Sequence, residues 1–229
     1  MFFNKGGVGH VEVIMSFVIF MGFLGFAFYF FSPFQSGRTF ESSLDYAFDE
    51  IIESTNTILE SYSVVLVGCP DTVIVIDPHP SPGRIKIVDT EGIYSEGTRE
   101  GNKFCGFESS QSSESFITVL ISDEFSSQYG VCGGNPTDCP SISSSERKSI
   151  ISNKSMFDLV RKYKTNYPEL KNDFNIGVDF GFSLIFDDGT GMIAERETPS
   201  NLEVVAKEDR VEVVTKDGVV FADLVVKVW

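Results

Sequence analysis

The stretch VIMSFVIFMGFLGFAFYFF, from Val13 to Phe31, decides how the rest of the chain is interpreted. It contains no charged residue, and Pro33 follows it closely. Because an α-helix rises about 1.5 Å per residue, a run of this length covers roughly the 30 Å hydrocarbon core of a bilayer. The run predicts one transmembrane helix over residues 8–32, and therefore a protein held in a membrane near its N-terminus.

A cleavable secretory signal and a buried soluble helix explain this run less well. A signal has an apolar stretch of about 7–15 residues that ends in small residues. Here the run is longer, and Phe34 stands where a small side chain is expected before a cut at Ser36 or Gly37. A helix in a soluble core is rarely apolar on every face.

The positions of the cysteines indicate on which side of the membrane most of the chain lies. Cys69, Cys105, Cys132 and Cys139 all follow the apolar run, and an even number suits two disulfides in an oxidising compartment. Asn153 begins an N-glycosylation triplet, Asn-Lys-Ser, which fits the same location. We expect a cytoplasmic N-terminus and an extracytoplasmic domain over residues 39–229.

The sequence leaves the pairing of these cysteines open. Cys132 and Cys139 bracket a short loop, so one possibility joins them to each other and Cys69 to Cys105. Two other pairings remain. A zinc site made from all four is disfavoured, because zinc ligands usually come in pairs with about two to four residues between them.

The residues before the apolar run carry a second pattern. Glu12 stands at the start of the run, and Lys5-Gly6-Gly7-Val8 precedes it. This resembles the leader of type IV pilin-like proteins, in particular the archaeal ones. The resemblance covers residues 1 to about 32. It implies that residues 1–7 are a prepilin leader, that prepilin peptidase cuts after Gly7, and that Glu12 is the fifth mature residue.

The sequence departs from that family at two positions, and the resemblance carries consequences for assembly. Many archaeal relatives have Gln and Ser where Val8 and His10 stand here. In the family, the glutamate of one subunit neutralises the new N-terminal amine of a neighbour. The resemblance therefore implies a cell-surface filament or secretion-type machine built from like or related pilin subunits. Gly22 and Gly25 are candidates for close helix approach in it.

A different function class fits the same residues. A singly anchored extracellular binding or scaffold protein would have the same apolar helix but would not polymerise. In that protein Glu12 would be hydrated at the membrane boundary, and the phenylalanine-rich surface would face lipid.

The outer domain has the pattern of an α+β fold. Pro33 and Gly37 predict a kink or linker over residues 33–38. From Phe40 to about Glu60, apolar residues recur every three or four positions, which predicts an amphipathic helix capped by Thr39. A second helix is predicted from a capping box at Ser155–Asp158 to Tyr167, with Pro168 ending it.

The remaining pattern predicts a mostly antiparallel sheet with polar, disulfide-stapled loops at 89–114 and 122–150. In the last segment, Ala222, Leu224, Val226 and Val228 alternate with mixed residues, and Asp217-Gly218 predicts the hairpin turn before it. The predicted strands cover residues 62–67, 72–76, 84–88, 115–121, 175–186, 202–207, 210–215 and 219–229.

Catalysis, metal chemistry and nucleic-acid binding find little support. The two histidines are His10 and His79, and the sequence lacks G-x-S-x-G, H-E-x-x-H, P-loop and CxxC motifs. A hydrolase that uses His79 is the minority interpretation. The segment Asp187-Asp188-Gly-Thr-Gly191 offers oxygen ligands for calcium, but a turn between strands is favoured. A net charge of −15 opposes nucleic-acid binding. We expect no enzyme activity, cofactor or metal.

Overall fold

The computed structural model describes residues 8–31, 34–66, 73–75, 82–105, 115–126, 131–132, 141–198, 200 and 202–229. Within these residues the chain forms three helices, α1 (Val8–Phe31), α2 (Phe34–Thr55) and α3 (Asn153–Asp173). The strands are β1 (Asn56–Leu66), β2 (Ile74–Val75), β3 (Arg84–Val88), β4 (Tyr94–Glu96), β5 (Thr98–Glu100), β6 (Lys103–Cys105), β7 (Ser115–Ser122), β8 (Ser141–Ser152), β9 (Phe180–Phe186), β10 (Gly191–Ala194), β11 (Val205–Val214) and β12 (Val219–Val228).

Nine of these strands form one large sheet in the order β10-β9-β12-β11-β8-β1-β7-β3-β4. Every neighbouring pair in it is antiparallel except β8 and β11, which run parallel. The short strands β2, β6 and β5 form a separate small sheet. Mixed α and β content, an apolar N-terminal helix and a large, mostly antiparallel sheet confirm the expected fold class at this level.

The main core lies between the helices α2 and α3 and the β9–β12 half of the sheet. Strand alternation puts every second residue of β12 on the helix side. Ala222, Leu224, Val226 and Val228 are fully buried there, as the pattern predicts. The helices contribute the other wall, chiefly Leu44, Ala47, Phe48 and Ile51 of α2 and Met156, Leu159, Val160 and Tyr163 of α3.

A second core lies between the small sheet and strands β1, β3 and β7. Phe104 of β6 packs with Val64, Ile85, Ile87 and Val119. A third cluster uses the other face of the same strands, because Leu120 alternates with Val119 along β7. The β4 edge also approaches the β11–β12 hairpin, where the Tyr94 hydroxyl donates to the carbonyl oxygen of Val219 over 3.2 Å.

Of the segment 33–38 that is predicted to form a kink or linker, residues 34–38 belong to α2. Residues 32 and 33 lie outside the described part of the chain. Proline is compatible with the first turn of a helix, so Pro33 does not prevent a helix from starting at Phe34. Thr39 is therefore not the N-cap of this helix.

The helix predicted from Phe40 to Glu60 also ends early, at Thr55. The Thr55 hydroxyl donates to the carbonyl oxygen of Ile51 over 2.7 Å in the last turn. From Asn56 onward the backbone pairs with β8, starting opposite Ile151. This long-range pairing overrides the local helical periodicity, because tertiary contacts outweigh propensity.

Several strands agree with the predicted ones, and others lie where loops are predicted. Strands β3 and β7 agree closely, while β1 begins six residues before the predicted strand at 62. Strand β2 falls within the prediction for 72–76, whose ends lie outside the described residues. The loop predicted at 122–150 is wrong for β8, a polar strand paired with β1 along its length. The loop predicted at 89–114 contains β4, β5 and β6.

The third helix begins at Asn153, two residues before the predicted capping box. Its N-cap is Ser152, whose hydroxyl oxygen accepts a hydrogen bond from the backbone N–H of Ser155 over 2.9 Å. The helix continues beyond Pro168, so that residue does not end it. Instead, Asn166 leaves helical geometry, with φ −147° and ψ 58°. The proline ring crowds the preceding turn, which accounts for a kink rather than a stop.

The C-terminal hairpin is simpler than predicted. Strand β11 is continuous, where two strands at 202–207 and 210–215 are predicted, and β9 starts at Phe180 rather than at 175. The Asp217-Gly218 turn is confirmed. The Thr215 N–H donates to the Gly218 carbonyl oxygen over 2.7 Å, and the Thr215 hydroxyl oxygen accepts from both turn N–H groups.

Among the described residues, a disulfide joins Cys105 to Cys132, with the two Cα atoms 5.8 Å apart. It joins β6 to residues 131–132, so the suggested pairs Cys132–Cys139 and Cys69–Cys105 are wrong. A zinc site that uses all four cysteines is excluded, because two of them are bonded to each other. Cys69 and Cys139 lie outside the described residues.

Candidate functional site

The most exposed apolar surface belongs to α1. Its segment Val11–Phe28 has a mean hydropathy of 2.2, and none of it is buried against the chain. Within the described residues it is the one helix long and apolar enough to cross a membrane. Phe17 is 58% exposed and Phe28 72%. A surface of this kind needs lipid or other helices to cover it.

The predicted assembly residues lie along this helix. Val8 is its first residue, and Gly6 and Gly7 of the predicted processing site lie outside the described residues. Glu12 is exposed in the first turns and forms no ion pair with any described residue. Side-chain atoms placed on Gly22 or Gly25 would meet nothing within 4 Å. The glycines therefore leave room for a neighbouring helix.

Helix α2 joins the apolar helix α1 to the sheets and helix α3, which together we call the head. It begins three residues after the end of α1, and its side chains Leu44, Phe48 and Ile51 are buried in the main core. Lys207 of β11 fixes the outer side of α2: its Nζ lies 2.7 Å from Asp45 Oδ1 and 4.5 Å from the centre of the Phe48 ring. Helix α2 is thus packed firmly against the sheet.

A cleft of about 810 Å³ opens at one end of the large sheet. It is formed by the first turn of α3, the β9–β10 turn, the β11–β12 turn and Glu124, which follows β7. Phe186, Val220 and Phe221 supply its apolar wall. Its volume falls within the range of small-molecule pockets, roughly 300–1,000 Å³.

Most of the carboxylates that line this cleft already form an ion pair or a hydrogen bond within the chain. Arg210 Nη2 lies 2.9 Å from both carboxylate oxygens of Asp187. Glu124 Oε1 accepts a hydrogen bond from the Ser152 hydroxyl over 2.7 Å. Hydrogen bonds from the hydroxyl and backbone N–H of Thr190 hold the pKa of Asp188 below its ordinary value. Neither a histidine nor a cysteine is among the described residues that line the cleft.

The Asp187–Gly191 segment is a turn between β9 and β10, as favoured from the sequence. The Gly189 N–H donates to the carbonyl oxygen of Phe186 over 2.9 Å. Among the described residues, no three Asp, Glu, His or Cys side chains are grouped so as to hold a metal ion. The carboxylate of Asp187 is directed at Arg210, so Asp187 and Asp188 do not converge on one metal position.

A polar network joins the kinked part of α3 to the ends of β9 and β12. The Tyr163 hydroxyl donates to the Phe180 carbonyl oxygen over 2.6 Å, and the Tyr167 hydroxyl donates to Asp179 Oδ1 over 2.9 Å. Burial raises the pKa of Tyr163, and it raises that of Tyr167 to about 12. Both phenols therefore stay protonated at neutral pH, which suits hydrogen-bond donors in a packed core.

The structure does not bring the predicted site residues into one place. Glu12, Gly22 and Gly25 lie on α1, whereas Asn153 begins α3 and lines the cleft. His79 lies outside the described residues. The sequence reasoning missed Glu124, which lines the cleft, and Arg210, which binds the lining residue Asp187. Their partners are distant in sequence, so no local signal identifies them.

No protein-family model, curated protein or solved structure matches the chain significantly.

Proposed function

We propose that this chain is a non-enzymatic, pilin-like subunit of a cell-surface filament or secretion-type machine, assembled through α1. The observation that carries the proposal is an apolar helix that no described residue covers, followed almost directly by α2, whose apolar side chains are buried in the head. A helix bundle of like subunits would cover α1, and α2 would set the position of each head.

The first residues of α1 add to this proposal. Cleavage after Gly7 would leave the amine of Val8 one helical turn before Glu12. A carboxylate in an apolar bundle is costly unless it is paired, and a neighbour's amine would pair it. Prepilin peptidase, the membrane and related pilin subunits are the partners that this scheme requires.

The orientation proposed has a cytoplasmic N-terminus and an extracytoplasmic head. The Cys105–Cys132 disulfide supports it, because such bonds persist in oxidising compartments and are rare in the cytosol. The second candidate is a singly anchored surface protein that does not polymerise. The exposure of α1 on all sides favours it equally, since lipid alone would cover such a helix.

Two measurements on protein from its native membrane separate these candidates. Intact mass with N-terminal sequencing should give a mature start at Val8. Glu12→Ala should abolish incorporation into sheared surface filaments, whereas Glu41→Ala, an exposed glutamate of α2, should not. An intact Met1, together with no effect of Glu12→Ala, would leave the singly anchored protein as the better account.

A further inference from the structure

Strands β8 and β11 pair with each other at one end. Over the rest of their length, the edges that face each other form no strand pairing with each other. Val213 pairs with Ile151 and Val214 with Ser152, and the pairing stops there. On its other side β8 pairs with β1, and β11 pairs with β12 along its whole length. We call the open stretches, residues 141–150 and 205–212, the fork. Within the described residues, the backbone groups on its two inner edges have no strand partner.

Charge opposes part of any further pairing of the two strands in this register. Continuing the Ile151–Val213 register three residues back would place Lys148 opposite Arg210. Two residues further back, Glu146 would lie opposite Glu208. Like charges directly opposite each other destabilise a sheet. Lys148 instead forms an ion pair diagonally across the base of the fork with Glu212.

The charges that remain in the fork are acidic. Each of its basic residues already has an acidic partner: Arg147 lies 3.8 Å from Glu60, Lys207 lies 2.7 Å from Asp45, Lys148 pairs with Glu212, and Arg210 pairs with Asp187. Glu146 and Glu208 are exposed and form no ion pair with any described residue. Strand alternation places both on the face that carries Lys148 and Glu212.

We infer that the fork binds an extended segment of a partner protein that carries Lys or Arg at alternate positions. Such a segment runs antiparallel to both β8 and β11 and satisfies both open edges as an added strand. Its basic side chains lie between Glu146 and Glu208 on one face. A segment of seven residues spans about 23 Å, which matches residues 143–149 and 205–211.

The base of the fork can also hold an apolar side chain of this segment. A cavity of about 190 Å³ lies there, lined by Ile52, Ile150, Ile151 and Val211 among others. A partner of opposite charge fits better than a second copy of this chain, because the chain itself has a net charge of −15.

The test uses the full chain in neutral detergent and a synthetic octapeptide of alternating Lys and Val. The peptide should bind, and it should slow hydrogen exchange at residues 144–148 and 206–210. Glu146→Lys with Glu208→Lys should weaken binding about ten-fold, as expected for two reversed cross-strand pairs. The matched control, Glu91→Lys with Glu197→Lys, changes the net charge equally at exposed sites elsewhere and should change affinity less than two-fold.

Two further peptides test strand addition. An alternating Glu and Val peptide should not bind measurably, and the Lys and Val peptide methylated on its backbone nitrogens should lose binding. Equal weakening by both double variants, or undiminished binding of the methylated peptide, would overturn the proposal. Fork protection without peptide, with a concentration-dependent dimer, would assign the fork to a second copy instead. If the lysine variants unfold, Glu146→Gln with Glu208→Gln should still weaken binding about three-fold.

Discussion

Asp179 accepts two hydrogen bonds on one carboxylate oxygen, from the Tyr167 hydroxyl over 2.9 Å and from Lys171 Nζ over 2.7 Å. Its backbone N–H and carbonyl also pair with those of Trp229, just after β12. One residue therefore connects the part of α3 after its kink with the end of the sheet. The kink at Asn166 is held in place by this connection.

The first prediction concerns acid stability at Asp179. The hydrogen bond from Lys171, aided by that from Tyr167, holds the pKa of Asp179 below its ordinary value. The stabilisation is therefore present above about pH 4, the unfolded value, and is lost as pH falls through the lower folded pKa. Asp179→Asn should cost about 1 kcal/mol at pH 7 and much less at pH 3, by chemical denaturation. Asp217→Asn, whose carboxylate has no partner among the described residues, is the control and should cost less than about 0.5 kcal/mol at pH 7.

The second prediction concerns the disulfide. Cys105 and Cys132 are separated by 27 residues, and a closed loop of that size stabilises a fold by about 3 kcal/mol. Replacing both with serine should lower the free energy of unfolding by about that amount and speed hydrogen exchange in β5 and β6. Exchange in β12, which lies in the other core, should change only as global stability falls. Unchanged exchange in β6 would contradict the assigned role.

The third prediction concerns the N-cap of α3. Ser152 is fully buried, accepts from the Ser155 N–H and donates to Glu124. Ser152→Ala leaves the helix N–H groups and the Glu124 carboxylate short of partners, so it should cost about 2 kcal/mol. Ser149→Ala, on the exposed part of β8, should cost less than about 0.5 kcal/mol. Equal costs for the two, measured by urea denaturation, would argue against the cap.

The fourth prediction concerns alternation in β12. Leu224 is fully buried and its neighbour Val225 is half-buried. Leu224→Ala removes side-chain volume from the main core and should cost about 3 kcal/mol. Val225→Ala should cost about 1 kcal/mol or less. Thermal or chemical unfolding of the two variants checks the difference, and a larger loss for Val225→Ala would mean that the faces are reversed.

The sequence predicts well those features that depend on neighbours along the chain. The alternating burial of β12, the turn at Gly218 and the apolar helix α1 follow from local periodicity and turn chemistry. By contrast, the polar strand β8 forms because β1 pairs with it, and the end of α2 at Thr55 is set by the same pairing. The bond from Cys105 to Cys132 likewise depends on the approach of two distant segments.

The cleft and the fork could not be predicted from the sequence. The sequence offers Asp187 as a candidate calcium ligand, but its partner Arg210 comes from another strand. The opposition of Glu146 and Glu208 becomes visible only once the β8–β11 register is known. The sequence shows the order of charges along each strand. Whether those charges attract or repel depends on which strand lies beside it.

The junction of β8 and β11 also determines how the head would respond to tension. A pull on α1 enters through α2, which is packed against β11 and β12, and continues along the chain into β1. The load must therefore cross between the two halves of the large sheet. Its ladder there consists of two residue pairs, at Val213 and Val214, whereas β11 and β12 share ten. A stretched subunit should lengthen first by opening at this junction, where Ile151 would leave the main core and Ile150 would part from Val214, while the rest of the main core stays packed; this would give the head a built-in elastic extension.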